Sequence, residues 1–303
     1  MNPLELSPLM IYNLFRLTRP NQWIKNLFVF FPIFFGEKMF DIQLMFNTLV
    51  AFFAFSFAAS SIYCLNDIID VDDDRRHSVK CNRPLASGKI SIPSAYAIML
   101  LLLAMSIATL FLIDSQPLRL STIMVIVIYW FMQIGYCTYL KRYAIIDVCT
   151  ISIGFILRIQ AGGAATGIDV SQWLIMMTFL LTLFLGIAKR RDDVLRLERT
   201  GVQARNNTRR YNLTFVNEAL TITGSVMLVC YIMYTVDDDV VAQFNSPYIY
   251  LTSIFVIMGL LRYMQLAIVD EDTGDPTKVL LKDRIIQSLV LGWLLSFLIL
   301  IYA

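Results

Sequence analysis

The chain has 303 residues, of which 57% are hydrophobic and only 16% charged, and its mean hydropathy is +0.65. Soluble domains of this size carry about 25% charged residues, so a soluble globular fold is excluded. The net charge of +2 gives no basis for a nucleic-acid partner.

A helix needs roughly 20 mostly apolar residues to cross a bilayer. Nine such stretches stand near 21–36, 43–65, 92–113, 118–138, 144–165, 172–189, 213–236, 247–269 and 283–302. They show no strand-period alternation, which argues against a membrane barrel. The expected fold is all-α, a polytopic membrane bundle of about nine transmembrane helices forming one domain over 1–303. Met1 to Thr18 carries Glu5 and Arg16 and lacks a clean apolar core before a small-residue cleavage site, so no cleavable signal peptide is expected.

Behind the second apolar stretch comes Asn66-Asp67-Ile68-Ile69-Asp70-Val71-Asp72-Asp73-Asp74-Arg75-Arg76-His77. Carboxylates crowded at a low-dielectric boundary repel one another, which leaves a divalent metal, a cationic partner or a solvated loop as explanations. At about 100° per residue, Asp67, Asp70 and Asp74 share one helix face with Asn66 at its edge, while Asp72 and Arg76 point away. Three hard oxygen ligands suit Mg²⁺ bound together with a substrate phosphate. His77 is the only histidine, which excludes sites needing two. The five cysteines form no CxxC pair and read as ordinary thiols.

The basic residues complete the pattern. Arg83 follows the acidic cluster, Lys141 precedes the fifth span, and Arg158 lies well inside it. Either a structural ion pair with an aspartate such as Asp147 or a phosphate contact would explain Arg158. Lys189, Arg190 and Arg191 begin where an apolar stretch ends, so at least one should face inward and meet an anionic ligand or a carboxylate. Arg196, Arg199 and Arg205 read as a basic run beside the membrane that orients the protein and attracts anionic lipid. Of the 25 lysines and arginines, 21 fall in the loops of one side or in the span ends adjoining them, Lys38 and Arg119 fall on the other, and Arg158 and Arg262 lie well inside spans. The positive-inside rule makes the richer side cytoplasmic. The small residues Gly162 to Ala165 can pack within one bundle or between copies, so a homo-oligomer stays possible.

The pattern NDxxDxxxD (Asn66, Asp67, Asp70, Asp74) followed by NRPLASG (Asn82 to Gly88) resembles the first signature of the UbiA superfamily of intramembrane prenyltransferases. Within it, the chain looks most like the branch typified by decaprenyl-phosphate phosphoribosyltransferase. The supporting segments are Arg19 to Asn26 with Lys25, Leu140-Lys141 with Asp147, Gly154 to Arg158 through Gly162, Lys189 to Arg191, Leu261 to Tyr263, Gly274 to Pro276 and Lys282 to Arg284. Aromatic prenyltransferases of the superfamily carry a second aspartate-rich motif where this chain has Lys189-Arg190-Arg191-Asp192-Asp193, a more basic segment suited to a more anionic substrate.

The resemblance implies a membrane enzyme, in a bacterial inner membrane with its site facing the cytoplasm. It would move 5-phosphoribose from phosphoribosyl diphosphate to a polyprenyl phosphate. Asp67, Asp70 and Asp74, assisted by Asn66, would hold Mg²⁺ on the diphosphate, and Lys25, Arg83, Lys141, Arg158, Lys189, Arg190 and Arg191 would clamp phosphates. The alternative on the same fold is transfer of a prenyl chain from its diphosphate to an aromatic or other acceptor.

Overall fold

The computed structural model describes residues 8–76, 79–201, 208–271, 279–280 and 282–302. His77, Arg205 and Gly274 to Pro276 lie outside them. All regular structure among the described residues is helical. Seven helices are long and apolar enough to cross a membrane: α3 (Ile42–Ile69), α5 (Ile92–Leu110), α6 (Gln116–Thr138), α7 (Ile146–Thr166), α8 (Gln172–Thr200), α9 (Leu213–Thr235) and α11 (Ser253–Ile268), the last lengthened by a 3₁₀ turn at Ile249–Thr252. A shorter apolar helix, α12, covers Arg284–Tyr302. Shorter helices include α1 (Pro8–Thr18), α2 (Phe31–Phe35), α4 (Val71–Arg76) and α10 (Asp238–Gln243).

The first apolar stretch departs from a plain span. It forms a 3₁₀ helix at Pro20–Phe30 and then the short α2 (Phe31–Phe35). Pro32 has no amide to donate to residue 28 and sits in the first turn of α2, where that loss is tolerated. The helices group into two compact units, one comprising the chain through Leu140 together with Gly154–Val170, the other Lys141–Ile153 with Ser171 onward.

In the first unit, α3 packs along α5, α6 and the 3₁₀ helix through small residues, with Ala51, Ala54, Ala58 and Ala59 buried against Val29, Ala161 and Ala165. Small side chains let helices approach where lipid offers no hydrophobic driving force. Polar groups inside are paired: Trp23 Nε1 donates to Ser60 Oγ at 3.0 Å, Ser60 Oγ to the Thr18 carbonyl at 2.8 Å, and Asn26 Nδ2 to Ser56 Oγ at 2.9 Å.

In the second unit, α8 packs on α9, and α11 on α12. Arg262, inside an apolar helix, is neutralised by Asp283, whose Oδ2 lies 2.7 Å from Nη2 and 3.2 Å from Nε. The same carboxylate caps α12, accepting from the Ile286 amide at 2.9 Å. Hydrogen bonds from Arg262 hold the Asp283 carboxyl below its ordinary value. A depressed carboxylate contributes stability that is complete above its unfolded pKa, about 3.9, and is lost as the pH falls through the lower folded value. Asp283→Asn keeps a capping side chain, so it isolates the charge: it should lower the melting temperature at pH 7, and the difference from wild type should close on acidification.

Candidate functional site

The acidic cluster is built at the end of α3. That helix starts on an Asp41 cap, which accepts from the Leu44 amide at 3.0 Å, and runs 28 residues to Ile69. At Asp70 the backbone turns to φ −91°, ψ 6°, but the ladder hardly breaks: the Asp70 amide donates to the Asn66 carbonyl at 2.9 Å and the Asp74 amide to the Asp70 carbonyl at 2.8 Å. The i, i+7 relation therefore survives the junction with α4. Asp67 and Asp74 are buried, whereas Asp72 and Asp73 are exposed and pair with Arg75 and Arg76.

One nitrogen draws the two buried carboxylates together. Arg83 Nη1 lies 3.2 Å from Asp67 Oδ1 and 2.5 Å from Asp74 Oδ2. Arg19 also pairs with Asp67, its guanidinium 5.2 Å from the Tyr63 ring centroid. Arg19 adopts φ 49°, the left-handed region, immediately before Pro20. In the sequence it stood only as the first residue of a matching segment, because nothing local reveals that its side chain meets Asp67.

Among the described residues, no three His, Cys, Asp or Glu side chains stand close enough to hold one metal ion. Of the carboxylates read onto one face, the structure brings Asp67 and Asp74 together, and Asp70 sits half-buried at the helix junction with Asn66 one turn before it. This donor set still fits Mg²⁺. That ion demands hard oxygens and is usually bound by one or two carboxylates with substrate phosphates completing its shell. Two carboxylates converging on one cationic nitrogen supply that arrangement.

Lys25 is half-buried in the 3₁₀ helix. Its neighbour Asn26 accepts from Arg158 Nε at 2.8 Å, while Arg158 Nη1 donates to the Gly154 carbonyl at 2.6 Å and Nη2 lies 3.4 Å from the Tyr129 hydroxyl. The rings of Phe55, Tyr129 and Phe155 stand 4.9, 5.2 and 5.1 Å from its guanidinium carbon. Among the described residues no carboxylate pairs with Arg158. Its charge is spread over aromatic faces and neutral acceptors, so the ion pair with Asp147 does not form.

Asp147 belongs to a second cluster, at the C-terminal part of α8. That helix continues through Lys189-Arg190-Arg191 and stops at Gly201, φ 66°, whose amide donates to the Leu197 carbonyl at 2.9 Å. Arg190 is fully buried, with Nη1 2.7 Å from Asp193 Oδ2 and Nε 3.0 Å from Asp147 Oδ2, the latter a charge pair whose N–H does not aim at the oxygen. Arg191 donates to Asn217 Oδ1 at 2.8 Å and to the Ala267 and Ile268 carbonyls, closing the end of α11. Lys189 and Lys141 are half-buried, Lys141 in a 3₁₀ turn at Leu140–Arg142. Tyr211 donates to Asp147 Oδ1 at 3.1 Å, and burial pushes its hydroxyl up to about 12.

A profile of the UbiA prenyltransferase family matches residues 27–282. The chain belongs to the UbiA prenyltransferase family. Among its UbiA relatives, decaprenyl-phosphate phosphoribosyltransferase of Mycolicibacterium smegmatis is 34% identical over 94% of this chain and 91% of that protein. The enzyme of the same name from Corynebacterium glutamicum is 32% identical over 94% of this chain and 85% of its own length. A UbiA homolog from Archaeoglobus fulgidus bound to GPP and Mg²⁺ shares the fold, with a TM-score of 0.68 at 18% identity, covering 96% of this chain and all of that one.

Proposed function

We propose that this UbiA-family protein transfers 5-phosphoribose from phosphoribosyl diphosphate to a polyprenyl phosphate, releasing diphosphate. The observation that carries the reading is the near full-length match to relatives named for phosphoribosyl transfer to decaprenyl phosphate. The convergent pair Asp67 and Asp74 supports it. The family profile runs through both units, which favours treating 1–303 as one transferase domain.

Mg²⁺, when bound, would neutralise the diphosphate as a leaving group. Asp67 and Asp74 would hold it, with Asn66 and Asp70 beside them. Arg83 and Arg19, already at these carboxylates, offer guanidinium donors to phosphate oxygens. Lys25 and Arg158 add positive potential in the same unit. Lys141 and Lys189 are the proposed phosphate contacts of the other unit, where Arg190 and Arg191 serve by fixing helix ends. A bond forms between a lipid phosphate oxygen and the ribose anomeric carbon as the bond to diphosphate breaks. The acceptor is already an anion and needs no general base, so the protein's task is positioning and electrostatics. The crowding of Lys and Arg on alternate loops favours a site facing the cytoplasm of a bacterial inner membrane.

Membranes containing the protein, incubated with polyprenyl phosphate and phosphoribosyl diphosphate labelled in the ribose, should move label into the solvent-extracted lipid phase and release diphosphate. Label that stays aqueous while a prenyl diphosphate is consumed with an aromatic acceptor would replace this reading with prenyl transfer.

A further inference from the structure

Ile145 sits in the left-handed region at φ 70°, a conformation that a side chain branched at Cβ rarely adopts. It separates the basic turn carrying Lys141 and Arg142 from the start of α7 at Ile146. Ile145 is itself largely exposed, so burial of its side chain does not explain the conformation. Its amide does. The Ile145 N–H donates to the Tyr211 hydroxyl oxygen at 2.6 Å, and that hydroxyl donates its own proton to Asp147 Oδ1 at 3.1 Å.

A tyrosine hydroxyl has one proton to give, so the two bonds coexist only with Asp147 as acceptor. Asp147 is fully buried and its other oxygen faces Arg190, which Asp193 holds in turn. The Tyr211 ring packs with Val194 of α8 and Val216 of α9. The hydroxyl is thus fixed from behind by two helices and presents its oxygen to one strained amide. All of these residues lie in the second unit.

We infer that Tyr211 is a positioning residue: its hydroxyl, oriented by Asp147, holds Ile145 at positive φ and so sets the direction of the turn that carries Lys141 toward an anionic substrate phosphate. The part concerning substrate rests on the phosphoribosyl-transfer reading; the part concerning the turn does not. The chain Arg190–Asp147–Tyr211–Ile145 gives the buried arginine a function that needs no ligand contact of its own.

The test uses the full-length protein in membranes and in detergent. Tyr211→Phe keeps the packed ring and removes one hydrogen bond, so backbone hydrogen exchange over 143–147 should quicken roughly tenfold and KM for phosphoribosyl diphosphate should rise about tenfold, with kcat changed less than about twofold. Asparagine tolerates positive φ, so adding Ile145→Asn to Tyr211→Phe should restore KM. Unchanged exchange in Tyr211→Phe overturns the latch. Faster exchange with an unchanged KM overturns the positioning role, and failure of Ile145→Asn to restore KM overturns the account from strain. If Tyr211→Phe does not accumulate, the wild type decides, since fast exchange at the Ile145 amide is incompatible with a bond to a buried tyrosine. A wild-type protein inactive with phosphoribosyl diphosphate would remove the proposed function alone, and the exchange arm would still decide the latch.

Discussion

Asp74→Asn is expected to reduce phosphoribosyl transfer by about 10³-fold at saturating substrate, the scale seen when one preorganised electrostatic contact to a developing charge is removed. Asparagine keeps the volume and one acceptor oxygen for Arg83, so the variant should stay folded, with a stability loss of about 1–3 kcal/mol from the weakened buried bond. Asp67 and Asp74 face Arg19 and Arg83, so these four side chains are neutral together and exert no net pull on a lone dication. Metal alone should therefore bind weakly and tighten when diphosphate is present, because the anion draws the arginines away from the carboxylates. Calorimetric titration of Mg²⁺ with and without diphosphate measures this in the wild type. In Asp74→Asn the diphosphate-dependent gain should vanish. Transfer at the wild-type rate in the purified variant would remove Asp74 from the metal site.

The carboxylate pair was legible in the sequence because helical periodicity carries through one imperfect residue: the ladder at Asp70 resumes within a single position, and the seven-residue spacing from Asp67 to Asp74 survives. The spans were legible because lipid demands apolar length. The first stretch was read as a span like the others from its apolar length, but it forms a 3₁₀ helix and then the short α2, a change of helix type that hydropathy does not register. The end of α8 was missed for the opposite reason. Residues 190–200 are too polar to count as a span, yet Arg, Leu and Glu are good helix formers, and Arg190 and Arg191 find carboxylates, an amide and carbonyls to satisfy them. Which partner a cation takes is a tertiary fact. Arg158 shares a helix face with Asp147, which lies more than two turns away along it, and Asn26 and three aromatic rings meet the guanidinium instead. Nothing local in the sequence marks Tyr211, since its importance lies in an amide 66 positions away.

Gly162→Ala should be among the most destabilising single-methyl changes available in this fold. A Cβ at Gly162 would stand 1.9 Å from the Val29 carbonyl oxygen and 2.9 Å from its carbon, with Pro32 Cδ at 3.3 Å. These are mostly backbone atoms of the 3₁₀ helix, and Val29 is fully buried in the cluster that includes Ala54, Ala58 and Ala161. Neither partner can rotate aside, so relief requires shifting a whole segment at a small-residue interface. Overpacking of this kind costs about 1–3 kcal/mol or more. The shift would also move Asn26, three residues from Val29, whose side chain accepts from Arg158, so transfer should fall along with stability. Gly259 supplies the control, because a Cβ there meets nothing within 4 Å and the residue lies inside α11. Alanine at that position should stabilise by up to about 1 kcal/mol through helix propensity alone. Melting of the two variants in detergent should therefore move in opposite directions, and a Gly162→Ala protein as stable as the wild type would mean that the 3₁₀ helix does not pack against α7 at this point.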